Sequence, residues 1–320
     1  MNKMFIRFIV IMSVLLSGTY ALAGNIASYK LENGLTVILN EDHTQPSVFG
    51  AVLIKTGSKN DPADVTGVSH YLEHMMFKGT QDMGTLDWNA EKSHYDSIID
   101  LFEQLRSTTD EVAKKEIYSK INQEAKAAGQ FAIPNEFSNL VQGMGGTNLN
   151  AETGYDDTKY FCIFPSFELR RWADLYSHLF QQPVFRGFQT EVETVFEEKN
   201  MYADDPFRSL LEEVYKTLFG NHSYSRPIIG TTEHLKNPSL KKMIEYYQKW
   251  YVPSNMAVVL SGDFNTDEAK TILEENFGKW KTGAQPEMAT GKVEPINGKQ
   301  EFKLKMPPYK IGIWAFNGVE

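Results

Sequence analysis

The stretch that decides the reading is Gly67-Val68-Ser69-His70-Tyr71-Leu72-Glu73-His74-Met75-Met76-Phe77-Lys78-Gly79-Thr80. Val68, Leu72, Met75 and Met76 recur at helical spacing and Gly79 is a helix stop, so a helix is expected over about 65–77. His70 and His74 are four apart, which sends both imidazoles out of one face about one turn apart. Two nitrogens so placed reach one metal ion at roughly 2.0–2.1 Å. Glu73 lies beside the pair. From there its carboxylate reaches a metal-bound water without ligating the metal, and takes the proton as that water attacks a peptide carbonyl. The bland alternative is two solvated histidines on an amphipathic helix.

A catalytic zinc needs a third protein ligand. The chain has one cysteine, Cys162, which forbids an internal disulfide and any multi-cysteine metal site. Cys162 falls within an apolar strand, where neutral burial is its expected role. The glutamate-rich segment from Thr190 is a better source. Thr190 with Glu193 has the capping-box pattern, so a helix is expected to start there. On its wheel Glu191, Val195, Glu198 and Tyr202 form one stripe beside the apolar Val192 and Phe196. Glu191 and Glu198 are about 10.5 Å apart along the axis, so only one of them can bind the ion. The other can hold a ligating histidine. Spacing alone does not choose between them, and a merely solvated acidic helix is the competing reading.

Outward from these two helices, strands are expected over 27–56, with Asn33-Gly34 as a hairpin turn. Residues 88–128 read as two charged amphipathic helices, an inserted helical hairpin (about 86–130). Strands are expected again at 148–153 and 158–164, and helices at 167–180 and 191–202. A helix over 240–250, a buried strand over 256–260 and a helix over 266–276 follow. The order suggests an α+β domain with a mainly antiparallel β-sheet.

The ends read differently. Lys3 and Arg7, the apolar run from Phe8 to Leu16 and Ala21-Leu22-Ala23 have the form of a cleaved signal peptide over 1–23, so the mature chain is expected to be periplasmic or secreted and not membrane-inserted. Residues 281–300, with Gly283, Pro286, Gly291, Pro295 and Gly298, read as a linker. Two strands, 302–306 and 310–316, would open a second sheet. The 320 residues are 42% hydrophobic and 23% charged, a globular composition. A net charge of −9 argues against general nucleic-acid binding.

The 67–80 stretch, with its H-x-x-E-H order, resembles the signature helix of the M16 metallopeptidases, the pitrilysin/insulinase family. The resemblance continues through Gly145-Gly146-Thr147-Asn148-Leu149-Asn150-Ala151, Glu191 to Met201, Tyr251-Val252-Pro253-Ser254-Asn255-Met256 and Ser261-Gly262-Asp263-Phe264. It implies one zinc ion held by His70, His74 and Glu198, with Glu73 as general base and Glu191 holding a ligating histidine. It also implies that Asn150 and Ala151, on an edge strand, bind the backbone of an extended peptide substrate by β-augmentation. Residues 24–280 would be the zinc-binding peptidase domain, and 301–320 resemble only the opening strands of the homologous second half. The expected partner is therefore that half or a subunit supplying it. Two readings of another kind compete: a partner-dependent or non-catalytic subunit that captures extended peptides, and metal storage, which has no need of Glu73.

Overall fold

Asn33-Gly34 turns the chain as its composition demands. In the computed structural model, which describes residues 26–288, 291, 293–296, 298–301 and 313, β1 (Ile26–Lys30) and β2 (Thr36–Glu41) pair antiparallel around it. The loop is longer than a two-residue turn. Leu31 N donates to Leu35 O and Gly34 N to Leu31 O, with Gly34 at φ 91°, the left-handed position that closes a three-residue hairpin loop. The expected signal peptide at 1–23 and the expected strands at 302–306 and 310–316, apart from residue 313, lie outside the described residues.

Four more strands, β3 (Ser47–Ile54), β4 (Thr147–Thr153), β5 (Thr158–Pro165) and β6 (Met256–Gly262), complete a six-stranded sheet in the order β1-β2-β6-β3-β5-β4. The fold is α+β. The sheet is mixed, because β2 and β6 run parallel while the other neighbours are antiparallel. The helices are α1 (Val68–Met76), α2 (Trp88–Ser107), α3 (Glu111–Ala128), α4 (Glu136–Gly143), α5 (Leu169–Leu179), α6 (Phe188–Ala203), α7 (Pro206–Phe219), α8 (Thr232–Leu235), α9 (Leu240–Trp250) and α10 (Thr266–Phe277).

Alternation along the strands builds the core. Thr158, Tyr160, Cys162 and Phe164 of β5 are buried, as are Val48, Gly50, Val52 and Ile54 of β3. Against this face lies Trp172 of α5, fully buried, stacked on Phe164 and Tyr176. Gly50 is what lets the indole sit so close, since a Cβ there would fall 2.6 Å from its ring. Among the described residues no helix is long and apolar enough to cross a membrane.

Two departures from the sequence reading bear on the site. The Thr190–Glu193 pattern does not start α6, which begins at Phe188 after Gly187 at φ 67°. Burial decides this: the Phe188 ring stacks on Tyr71 and meets Phe102 edge-on, and its carbonyl accepts from the Tyr71 hydroxyl. Helices α4, α7 and the single-turn α8 are absent from that reading. For α7 the signal was present, with Asp205 as cap, Pro206 in the first turn, and Phe207, Leu210, Leu211 and Val214 at helical spacing.

Candidate metal centre

Helix α1 is set by its entry. Gly67 sits at φ 87° with no capping side chain of its own; the Asp61 carboxylate instead accepts from Gly67 N (2.6 Å) and Ser69 N (3.1 Å). A Cβ on Gly67 would lie 2.4 Å from Ile229 O, so only glycine permits this approach. Burial pushes the Asp61 carboxyl up to about 7, against those hydrogen bonds. The helix is sunk deeply enough that His70 and Glu73 keep only 7% and 8% exposure.

His70 and His74 project from α1 with ring centroids 4.9 Å apart. Glu198 Oε2, from the middle of α6, lies 3.7 Å from His70 Nε2 and 3.3 Å from His74 Nε2. These three donors fall within 4.8 Å of one another, the one such His/Cys/Asp/Glu group among the described residues. Glu191, one helical turn into α6, faces elsewhere. Its Oε1 meets His74 Nδ1 at 2.9 Å and its Oε2 meets Lys78 Nζ at 2.6 Å. The sequence left the two glutamates open on spacing; the fold brings Glu198 to the imidazole Nε2 atoms and Glu191 to the far side of His74. Cys162 is buried on β5, outside the group.

The donor set fits a zinc ion. Tetrahedral ligands at 2.0–2.1 Å stand about 3.3–3.4 Å apart; the 3.3 Å separation of Glu198 from His74 has that size, and the 3.7 Å separation from His70 needs only a small inward shift. His74 keeps Nε2 free for a metal when Nδ1 donates to Glu191. His70 has no such partner, since its Nδ1 is buried without a hydrogen bond. Packing and the facing Glu198 carboxylate orient that ring.

Electrostatics divides the group. Burial, with the neighbouring His74 charge, lowers the His70 imidazole to about 4. Burial also opposes charge on His74, but the hydrogen bonds to Glu191 and Glu198 and the charge of Glu73 outweigh it and raise that ring to about 9. The hydrogen bond from His74 is the chief cause that holds Glu198 down to about 2. Burial raises the Glu73 carboxyl above its ordinary value. Glu191 is likewise desolvated, yet its hydrogen bonds with His74 and Lys78 prevail and lower it.

Glu73 accepts a hydrogen bond from Thr153 Oγ1 at the end of β4. Asn150 and Ala151 lie on the same strand, which is the sheet's edge among the described residues, after a bulge between Thr147 and Asn150. All the expected site residues line one cleft of about 880 Å³, whose lining also includes Tyr202, Arg208 and Tyr215. Tyr202, four residues beyond Glu198, donates its hydroxyl to Glu198 Oε1. Lys78 stands four residues beyond His74. Tyr202 could have been found from helical spacing, but the pairing of Lys78 with Glu191 could not. Thr153 and Arg208 could not, since they arrive from other elements.

Residues 36–119 and 126–232 match the family model described as Insulinase (Peptidase family M16), and residues 238–318 match the Peptidase M16 inactive domain. The uncharacterized zinc protease YmxG of Bacillus subtilis is 24% identical over 272 residues, covering 84% of this chain and 53% of YmxG. Among solved structures, a protease from Helicobacter pylori superimposes with a TM-score of 0.65 at 22% identity, over 85% of this chain and 54% of that one. The periplasmic protease PqqL from Escherichia coli gives 0.64 at 20% identity, over 84% of this chain and 25% of PqqL. At such identities the superpositions speak for the fold alone. The chain spans about half the length of curated relatives such as YmxG. Because the Insulinase model covers more than half of the 320 residues, this chain belongs to peptidase family M16.

Proposed function

We propose that this chain is a zinc-dependent endopeptidase, exported to the periplasm or beyond, that hydrolyses extended peptides and unfolded protein segments. The observation that carries the reading is the convergence of two imidazole Nε2 atoms and one carboxylate oxygen beside a buried second carboxylate, Glu73. His70, His74 and Glu198 would hold one zinc ion, and Glu191 would hold His74. Bound there, zinc supplies Lewis acidity, polarising a peptide carbonyl and acidifying a water. Glu73 takes the water's proton and returns it to the leaving amine as the C–N bond breaks. Thr153 fixes which way that carboxylate faces. Asn150 and Ala151 on β4 pair with the substrate backbone, which selects extended chains and makes few demands on side chains. Residues 24–280 would form this domain, 281–300 a linker and 301–320 the start of a second half.

Glu73→Gln is expected to keep zinc and lose peptide hydrolysis; hydrolysis retained in that variant would refute the reading. Zinc retention should nearly vanish in Glu198→Gln and fall by roughly 10–100-fold in Glu191→Gln. One observation favours a second reading, a partner-dependent subunit that captures peptides: the relatives run to about twice the matched length. Cleavage of a fluorogenic peptide, with and without a supplied second M16 half, separates the two.

A further inference from the structure

We infer that Tyr202 is a positioning residue that restricts Glu198 to one-oxygen ligation, and that Arg208 holds the tyrosine in place. The inference rests on the zinc reading above. Its starting point is the end of α6. The helix stops at Ala203, and Asp205 caps α7 by accepting from Phe207 N (2.9 Å) and Arg208 N (3.3 Å). The two-residue connection Asp204-Asp205 keeps the first turn of α7 in contact with the last turn of α6. Arg208 thereby lies over the Tyr202 ring, its guanidinium carbon 3.6 Å from the centroid. Its nearest carboxylate is more distant, with Nε 3.9 Å from Asp205 Oδ2. The aromatic face is thus the guanidinium's principal neighbour.

Tyr202 is one turn beyond Glu198, which sets the phenol alongside the carboxylate. Its hydroxyl donates to Oε1, while Oε2 is turned to His70 and His74. The two oxygens therefore have separate tasks. A carboxylate that binds zinc through both oxygens takes up the position that catalysis leaves open for water. The phenol, by occupying Oε1, opposes that mode and fixes the carboxylate rotamer before metal arrives. No part of this requires Tyr202 to touch metal or substrate.

The test compares the full chain with Tyr202→Phe and Arg208→Ala, using zinc affinity by chelator competition, the visible spectrum with Co(II) as the probe metal, and melting of the metal-free protein. Tyr202→Phe is expected to weaken zinc binding by roughly 10–100-fold. The intense visible bands of four-coordinate Co(II) should weaken toward a five-coordinate spectrum, while metal-free melting stays unchanged. Arg208→Ala, a change at an exposed site, should move affinity and spectrum in the same direction by less. Unchanged affinity and spectrum in Tyr202→Phe would overturn the inference, as would a loss of affinity matched by earlier melting of the metal-free protein. A wild-type chain that binds neither metal would overturn the zinc reading together with this inference, whereas wild-type binding with unmoved variants overturns this inference alone.

Discussion

The protonation of His74 makes a quantitative demand on metal binding. The metal-free fold holds this imidazole as a cation up to about pH 9, because Glu191 and Glu198 accept from its two nitrogens and outweigh the cost of burying it. A ligating histidine must be neutral. At pH 7 the charged form then exceeds the neutral one by on the order of 100-fold, and zinc affinity is reduced accordingly. His70, lowered to about 4, and Glu198, lowered to about 2, are already in their ligating forms and add nothing to the slope. Apparent affinity should therefore rise about tenfold per pH unit from pH 6.5 to 8.5 and level off above about 9, with about one proton released per ion at pH 7. Chelator-buffered zinc titrations across this range measure the slope, and calorimetry in buffers of different ionisation enthalpy counts the proton. Glu191→Gln removes one of the acceptors that keeps the ring charged, so its plateau should begin at lower pH. An affinity that stays flat between pH 7 and 8.5 in the wild type would refute the account.

Three further outcomes follow from the same structure. The folded Asp61 carboxyl sits at about 7, above its unfolded value of 3.8, so its contribution to stability is full below about pH 4 and is lost as pH rises through 7. Urea unfolding at pH 5 and pH 8 should show Asp61→Asn with a flatter pH dependence than wild type; parallel dependences would contradict this. Trp172→Ala empties a fully buried site between Phe164 and Tyr176 and should cost about 3–5 kcal/mol in the same assay, with a loss near zero arguing that the core collapses to fill the void. Thr153→Val keeps the shape of the side chain but removes the hydrogen bond to Glu73. Peptide turnover should drop by about tenfold while zinc retention is unchanged, and equal turnover would remove Thr153 from the mechanism.

How far the site could be read from the sequence depends on the distance along the chain over which each relationship acts. His70, Glu73 and His74 share one short helix, and helical geometry by itself sets their faces. The Tyr202 contact with Glu198 obeys the same four-residue rule and was equally open to reading, although it was assigned no role, whereas Lys78 meets Glu191 across two helices. The choice between Glu191 and Glu198 was different. Both lie on one stripe of α6, and what separates them is where α6 crosses α1, a crossing made by the Tyr71–Phe188 contact 117 residues apart. That contact also overrode the local Thr190–Glu193 start signal, since burying a phenylalanine ring outweighs one capping hydrogen bond.

By itself the sequence determined the periodic and local features: the Asn33-Gly34 hairpin, the alternating strands, the paired helices of the insert, and two histidines with a glutamate on one helical turn. Tertiary structure decided the parallel pairing of β2 with β6, the approach of Thr153 and Arg208, and the arrival of Glu198 rather than Glu191 at the imidazole Nε2 atoms, which spacing left open and only the family resemblance anticipated. The reason is that backbone geometry repeats every two or 3.6 residues and is written into any short window. Contacts between remote segments are set by which apolar faces bury one another, and no local period encodes that choice.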